Sequence, residues 1–244
     1  MIAALQWTTL AVCALVAAIR IPSALRGENR SLFGIFALMT LAILLSIDGP
    51  YVAIDQVLGG TNVTNVILRF VVFAAIFLLG LRVARGFSAH DALRLITGPI
   101  GIAVAAAASL VVVAVFLMTD TAGSSAGLVG IAARNPRNAA LVEYYGAAGR
   151  LYPAFVTVAL LPAMLRTLRS RLPVLVRSGA ALLALGTVAI SLSLLSPVIP
   201  PPLGFLRFVF NYTAVLCLVL GLSLIWLAKV LARRAPKKQA VITR

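Results

Sequence analysis

Seven apolar stretches limit this chain to one kind of fold, because the connections between them are alternately rich in arginine or lysine and nearly bare of them. Of 21 basic residues, 16 fall in four segments: Arg20 to Arg30, Arg82 to Arg94, Arg166 to Arg177 and Lys229 to Arg244. Lysine and arginine are retained on the cytoplasmic side of a membrane. The pattern therefore predicts an all-α polytopic membrane bundle of seven transmembrane helices, with the N-terminus outside and the C-terminus cytoplasmic. The spans are expected at about 2–19, 32–58, 62–84, 96–118, 136–168, 176–196 and 205–231, with a basic cytoplasmic tail at 232–244.

Composition agrees. With 62% hydrophobic and 11% charged residues, the chain is far from the soluble norm of about 25% charged, and no single aqueous core hides so much apolar surface. A net charge of +15 raises the question of nucleic acid, but phosphate binding needs basic residues clustered on a folded polar face. Here they sit at helix ends on one side, where anionic lipid headgroups attract each by roughly 1 kcal/mol. The expected partners are the lipid bilayer of the plasma membrane, anionic headgroups at its cytoplasmic face and a protein at the cytoplasmic loops. Nucleic acid is not among them.

Local signals refine the spans. Span 1 has no basic residue before it and no small-residue cleavage site after it, so it reads as a retained helix. Span 2 is expected to kink at Pro50 and to stop at Gly59-Gly60, with Thr61 or Asn62 as the N-cap of span 3. In span 4, Gly101, Ala105 and Ser109 recur at intervals of four, which predicts close helix approach and a place inside the bundle. The polar Gly/Ser-rich segment from Thr119 to Asn135 reads as a flexible outer loop. Asn135-Pro136 then reads as a cap followed by proline at the first helical position. A helix from there to Leu168 is close to 50 Å long against about 30 Å of hydrocarbon. Its first turns should stand outside, with Tyr144, Tyr145 and Tyr152 near the interface and kinks at Pro153 and Pro162. A stiff Pro197 to Pro202 loop separates spans 6 and 7.

Catalytic and cofactor motifs are absent from the sequence. A single histidine, His90, rules out a bis-histidine haem in the bundle, and no HExxH, GxSxG or Walker pattern occurs. Cys13 and Cys217 sit mid-span as expected of buried thiols. No metal, cofactor or catalytic residue is expected.

The strongest functional pointer is a set of arginines within the spans, since a charge there faces the interior or a water-filled cavity. Arg69, Arg150 and Arg207 all fall in the outer half, Arg207 one turn before Asn211. Four of the six acids lie on the same side: Asp48, Asp55, Asp120 and Glu143. Two readings compete. In one, Arg69 pairs with Asp48 or Asp55, Arg150 pairs with Glu143, and Arg207 snorkels to the interface. In the other, these groups line an outward-facing polar vestibule that accepts an anion or a polar headgroup.

The segment Ile47 to Phe87 carries a proline in helix 2 and a D-x-x-L-G turn leading to an Asn, here Asp55, Leu58, Gly59 and Asn62. A polar residue follows seven positions on, often histidine elsewhere and Arg69 here. In these features the chain resembles an uncharacterised family of actinobacterial seven-helix integral membrane proteins, and the run Arg177 to Gly186 is similar as well. The resemblance implies the same architecture in an actinobacterial plasma membrane. Relatives are described as transporters or as regulatory membrane proteins.

The leading functional expectation is therefore a non-enzymatic sensor, regulator or accessory membrane component acting through its basic cytoplasmic face. The alternative is a transporter of a small polar or anionic solute, favoured by the prolines at 50, 153 and 162 and the intramembrane arginines. An enzyme acting on lipid would have only Asp48, Asp55 and Glu143 to work with.

Overall fold

A computed structural model of the protein describes residues 2–27, 30–196, 199 and 203–234. The basic tail beyond Arg234 and most of the Pro197 to Pro202 loop lie outside the described residues. Among those residues every regular element is helical. Six helices are long and apolar enough to cross a membrane: α1 (Ile2–Leu25), α4 (Val63–Gly86), α6 (Pro99–Met118), α8 (Pro136–Leu168), α9 (Val174–Ser193) and α10 (Phe205–Arg234). A seventh crossing arises if α2 (Arg30–Leu44) and α3 (Asp48–Val57) count together, but these meet at 92°. The chain is thus an all-helical, multi-pass membrane protein with six to seven candidate spans.

The single kinked helix expected over 32–58 is instead two helices. Proline has no N–H to give the carbonyl four residues back and its ring crowds that turn, so a helix cannot run straight into Pro50. The break falls upstream, at 45–47, where the N–H groups of Ser46 and Ile47 make three-residue steps and the Ser46 hydroxyl donates to the Ile43 carbonyl at 2.7 Å. Pro50 then lies in the first turn of α3, where a missing N–H costs nothing. After α3, Gly59 and Gly60 take φ of +98° and +66°, and the chain reverses into α4.

Six helices close a ring in which each packs on the next: α1 on α2, α2 on α4, α4 on α8, α8 on α9, α9 on α10, and α10 back on α1. We call the end where α1, α4, α8 and α10 begin the upper end, and the end where they finish the lower end. The described basic residues of the four arginine- and lysine-rich segments gather toward the lower end. The short α5 (His90–Thr97) also lies there, burying Ala92 and Ile96. Phe36, Leu79, Leu160, Met164 and Leu183 have no exposed surface and fill the middle and lower ring. Lower still, the buried Arg20 guanidinium stacks 3.3 Å from the Trp226 ring centroid, joining α1 to α10.

Span 4 is not inside the bundle. Helix α6 lies outside the ring against α8, and only 17% of its most apolar stretch is buried, compared with 50% for α8. Ile102, Leu110 and Leu117 project outward, each more than 60% exposed. Gly101 is required for a local reason: a Cβ there would stand 2.1 Å from the Ile96 carbonyl oxygen, where α5 turns into α6. Close helix approach occurs instead between α9 and α10. A Cβ on Gly179 would lie 2.8 Å from the Gly221 carbonyl oxygen, and one on Gly221 would lie 2.9 Å from that of Gly179.

Candidate functional site

The segment from Thr119 to Asn135 is a fastened roof rather than a free loop. It contains a 3-10 turn at Ala126–Leu128 and a short α7 (Val129–Ala132), and it buries Leu128 and Ile131. Its anchor is Asn62, which has no exposed surface and sits in the left-handed region at φ +60°. The Asn62 amide donates to the carbonyls of Thr121 (2.8 Å) and Gly123 (2.7 Å). Its carbonyl oxygen accepts from the Ser125 N–H and the Tyr51 hydroxyl, both at 2.8 Å. Asp55, also fully buried, accepts from the Ser124 hydroxyl (2.7 Å) and from the N–H groups of Asn62 (3.0 Å) and Thr64 (3.2 Å). Asn62 is the N-cap residue of α4 as expected, but the carboxylate of Asp55 rather than the Asn62 side chain takes the free N–H of the first turn. At the far end of the roof Arg134 reaches back to Asp120 at 3.6 Å and donates to the Ala122 carbonyl.

Beneath this roof the upper half of the ring lines a half-open cavity of about 1270 Å³. Of the seven residues expected to form a polar site, six line it: Asp48, Arg69, Glu143, Arg150, Arg207 and Asn211. The seventh, Asp55, does not; its carboxylate is taken up by the first turn of α4 and by Ser124 of the roof. Pairing of Arg69 with Asp48 or Asp55 is not what the structure contains. Asp48 is exposed at the first turn of α3, and the Arg69 guanidinium stands over the Tyr145 ring, 5.1 Å from its centroid, with Nε buried and without a hydrogen bond.

The expected Arg150–Glu143 pair is also replaced. Glu143 takes Arg207 from α10, Nη1 to Oε1 at 2.6 Å, so Arg207 is an ion-pair partner rather than a snorkelling side chain. Side chains lean toward the N-terminus of their helix. Both Glu143 and Arg150 therefore lean upward along α8, which keeps them two turns apart. The Arg150 guanidinium lies on Gly146, where a Cβ would be 3.3 Å from Nη2, and its Nη1 is buried without a partner. It is close enough to Arg69, Glu143 and Arg207 to feel all three charges.

Two glycines make this arrangement possible, and sequence reasoning passed over both. A Cβ on Gly149 would stand 2.6 Å from Cδ and Nε of Arg69. One face of α8 is thus bare backbone at Gly146 and Gly149, and one guanidinium rests on each. The run Tyr-Tyr-Gly-Ala-Ala-Gly-Arg at 144–150 contains the signal, but only the position of α4 shows what the gap receives. The tyrosines also divide differently from expectation. Tyr144 is exposed, Tyr145 faces the cavity, and Tyr152 is buried edge-on against Phe73 at 5.3 Å.

Chemically, the lining offers three guanidiniums and two carboxylates, with one of each neutralised in the Arg207–Glu143 pair. Arg69 and Arg150 line the same cavity without an ion-pair partner among the described residues. Compared with family models, curated proteins and solved structures, the chain shows no match to any of them.

Proposed function

We propose that this chain is a receptor-type integral membrane protein whose upper cavity faces outside and binds an anionic ligand. One observation carries the reading: Arg69 and Arg150 line one cavity, and neither guanidinium is in an ion pair with an acid among the described residues. An uncompensated charge in apolar surroundings is costly, and an oxyanion between two guanidiniums removes both the unmet donors and the repulsion. A binding role suits the acids better than catalysis does, since Asp55 and Glu143 are both engaged. The fully buried side chains of Phe36, Leu79, Leu160 and Leu183 in the middle and lower ring favour a receptor over a conduit. Location in an actinobacterial plasma membrane, and a protein partner and anionic headgroups at the basic lower face, are parts of the same proposal.

Orientation is tested by impermeant thiol labelling of intact cells. Cysteine at Ala133, exposed at the upper end, should react, and cysteine at Arg171, exposed at the lower end, should not. The reverse pattern would turn the molecule over.

Ligand binding is tested with n-butyl phosphate on the protein in nanodiscs of neutral phosphatidylcholine. At about ten times Kd a ligand of the folded state contributes roughly 1.4 kcal/mol, or a rise in Tm of about 3–5 °C for a chain this size. The double variant Arg69→Gln, Arg150→Gln should fold and lose that rise. A wild-type Tm indifferent to butyl phosphate would end the anion-receptor reading.

A further inference from the structure

The cavity is larger and more graded in polarity than a simple anion needs. At about 1270 Å³ it exceeds the roughly 300–1,000 Å³ usual for small-molecule sites. Its lining changes character with depth on four helices. On α10 it runs from Arg207 and Asn211 down to Ala214, Val215 and Leu218, about 16 Å at 1.5 Å per residue. On α4 it passes from Arg69 to Val72 and Ile76, from Ser46 at the α2–α3 break to Ile43 and Met39 on α2, and on α8 from Glu143 and Arg150 to Pro153. The donors therefore gather in the upper part, and the lining at the floor is apolar, with Met39, Ile76 and Leu218 buried.

From this gradient we infer that the ligand is a single-chain amphiphile with an anionic head, a phosphate or carboxylate, held by Arg69 and Arg150 while its alkyl chain occupies the floor at Met39, Ile76 and Leu218. The inference rests on the anion-receptor reading above and adds the ligand's class to it. A free phosphate or small carboxylate satisfies the two guanidiniums equally well, but it leaves the floor without an occupant of matching polarity. Water there would find few polar partners, since the side chains at the floor are apolar. A head and tail in one molecule meet both requirements.

The experiment uses dodecyl phosphate with a diazirine at the far end of the chain, on the full protein in nanodiscs of neutral phosphatidylcholine. Cross-linked residues are read by mass spectrometry. The expected result is labelling at Met39, Ile76 or Leu218. That labelling should fall about tenfold in the Arg69→Gln, Arg150→Gln variant and under saturating n-butyl phosphate, which competes for the head site alone. Labelling confined to outward residues such as Leu110 and Leu117, with butyl phosphate still raising the wild-type Tm, would overturn the amphiphile and leave the anion site standing. Floor labelling that is equal with the neutral diazirine dodecanol, and unchanged in the double variant, would mean that the cavity holds ordinary lipid tails. That outcome would overturn both readings.

Discussion

Replacing Asn62 by alanine is expected to release the roof and to cost about 4 kcal/mol. The side chain serves four groups, the carbonyls of Thr121 and Gly123, the Ser125 N–H and the Tyr51 hydroxyl. Each buried group left unmatched costs about 1–3 kcal/mol, although water entering the loosened loop recovers part of it. Alanine also pays roughly 1 kcal/mol for the left-handed backbone that asparagine tolerates. Thermal unfolding should shift down by about 10 °C, and limited proteolysis should cut between Thr119 and Asn135, which the parent protects. Asn62→Gly separates the two contributions. Glycine removes the backbone strain but restores no hydrogen bond, so it should recover only about 1 kcal/mol of the loss. A protease-resistant loop in the alanine variant would show that the roof is held by something other than Asn62.

Gly221→Leu should be at least as damaging, because it acts on backbone. Within a membrane, helices associate through close van der Waals packing and not through water exclusion, so small residues at a crossing decide whether it forms. At Gly179 and Gly221 each α-carbon faces the carbonyl oxygen of the other, with room for no Cβ. Leucine must push α9 and α10 apart along their whole shared face, and Leu183 and Leu218 lose their packing with them. The expected outcome is no monodisperse peak on size exclusion after extraction. Gly221→Ala should survive with a loss of about 1–3 kcal/mol. If the leucine variant elutes and melts like the parent, α9 and α10 do not approach as described.

These two sites also show what a reader of the sequence can and cannot see. Helix starts are announced locally: the Asn135 side chain accepts the Asn138 N–H at 2.7 Å beside Pro136 at the first helical position, all within one turn. Partner choice is not local. The glycines at 101, 179 and 221 look alike along the chain, and only the fold shows that Gly101 borders a turn while Gly179 and Gly221 meet between two helices. The arginines at 69, 150 and 207 announce a polar site because charge within a span is costly. Which acid each one meets depends on the rotation of α8 and α10 and on the prior claim of the roof on Asp55. Gly146 and Gly149 were the least legible of all, since what they contribute is empty space. Arg20 on Trp226 joins the two ends of the ring, and its partner lies 206 positions away along the sequence.

The ring has an electrical polarity of its own. Four of its six helices, α1, α4, α8 and α10, begin at the upper end, and only α2 and α9 finish there. Peptide dipoles sum to about half a positive charge at each helix start and half a negative charge at each finish, so the six do not cancel. Since α6 also finishes at the upper end, the backbone leaves an excess of about half a positive charge around the upper cavity and a matching deficit below. An anion entering beneath the roof is thus drawn by a fixed field that no side-chain substitution removes. At the other pole, the arginines and lysines clustered where α1, α4, α8 and α10 terminate meet the negative end of the same field. Their positions favour the helices electrically, whichever leaflet lies beside them.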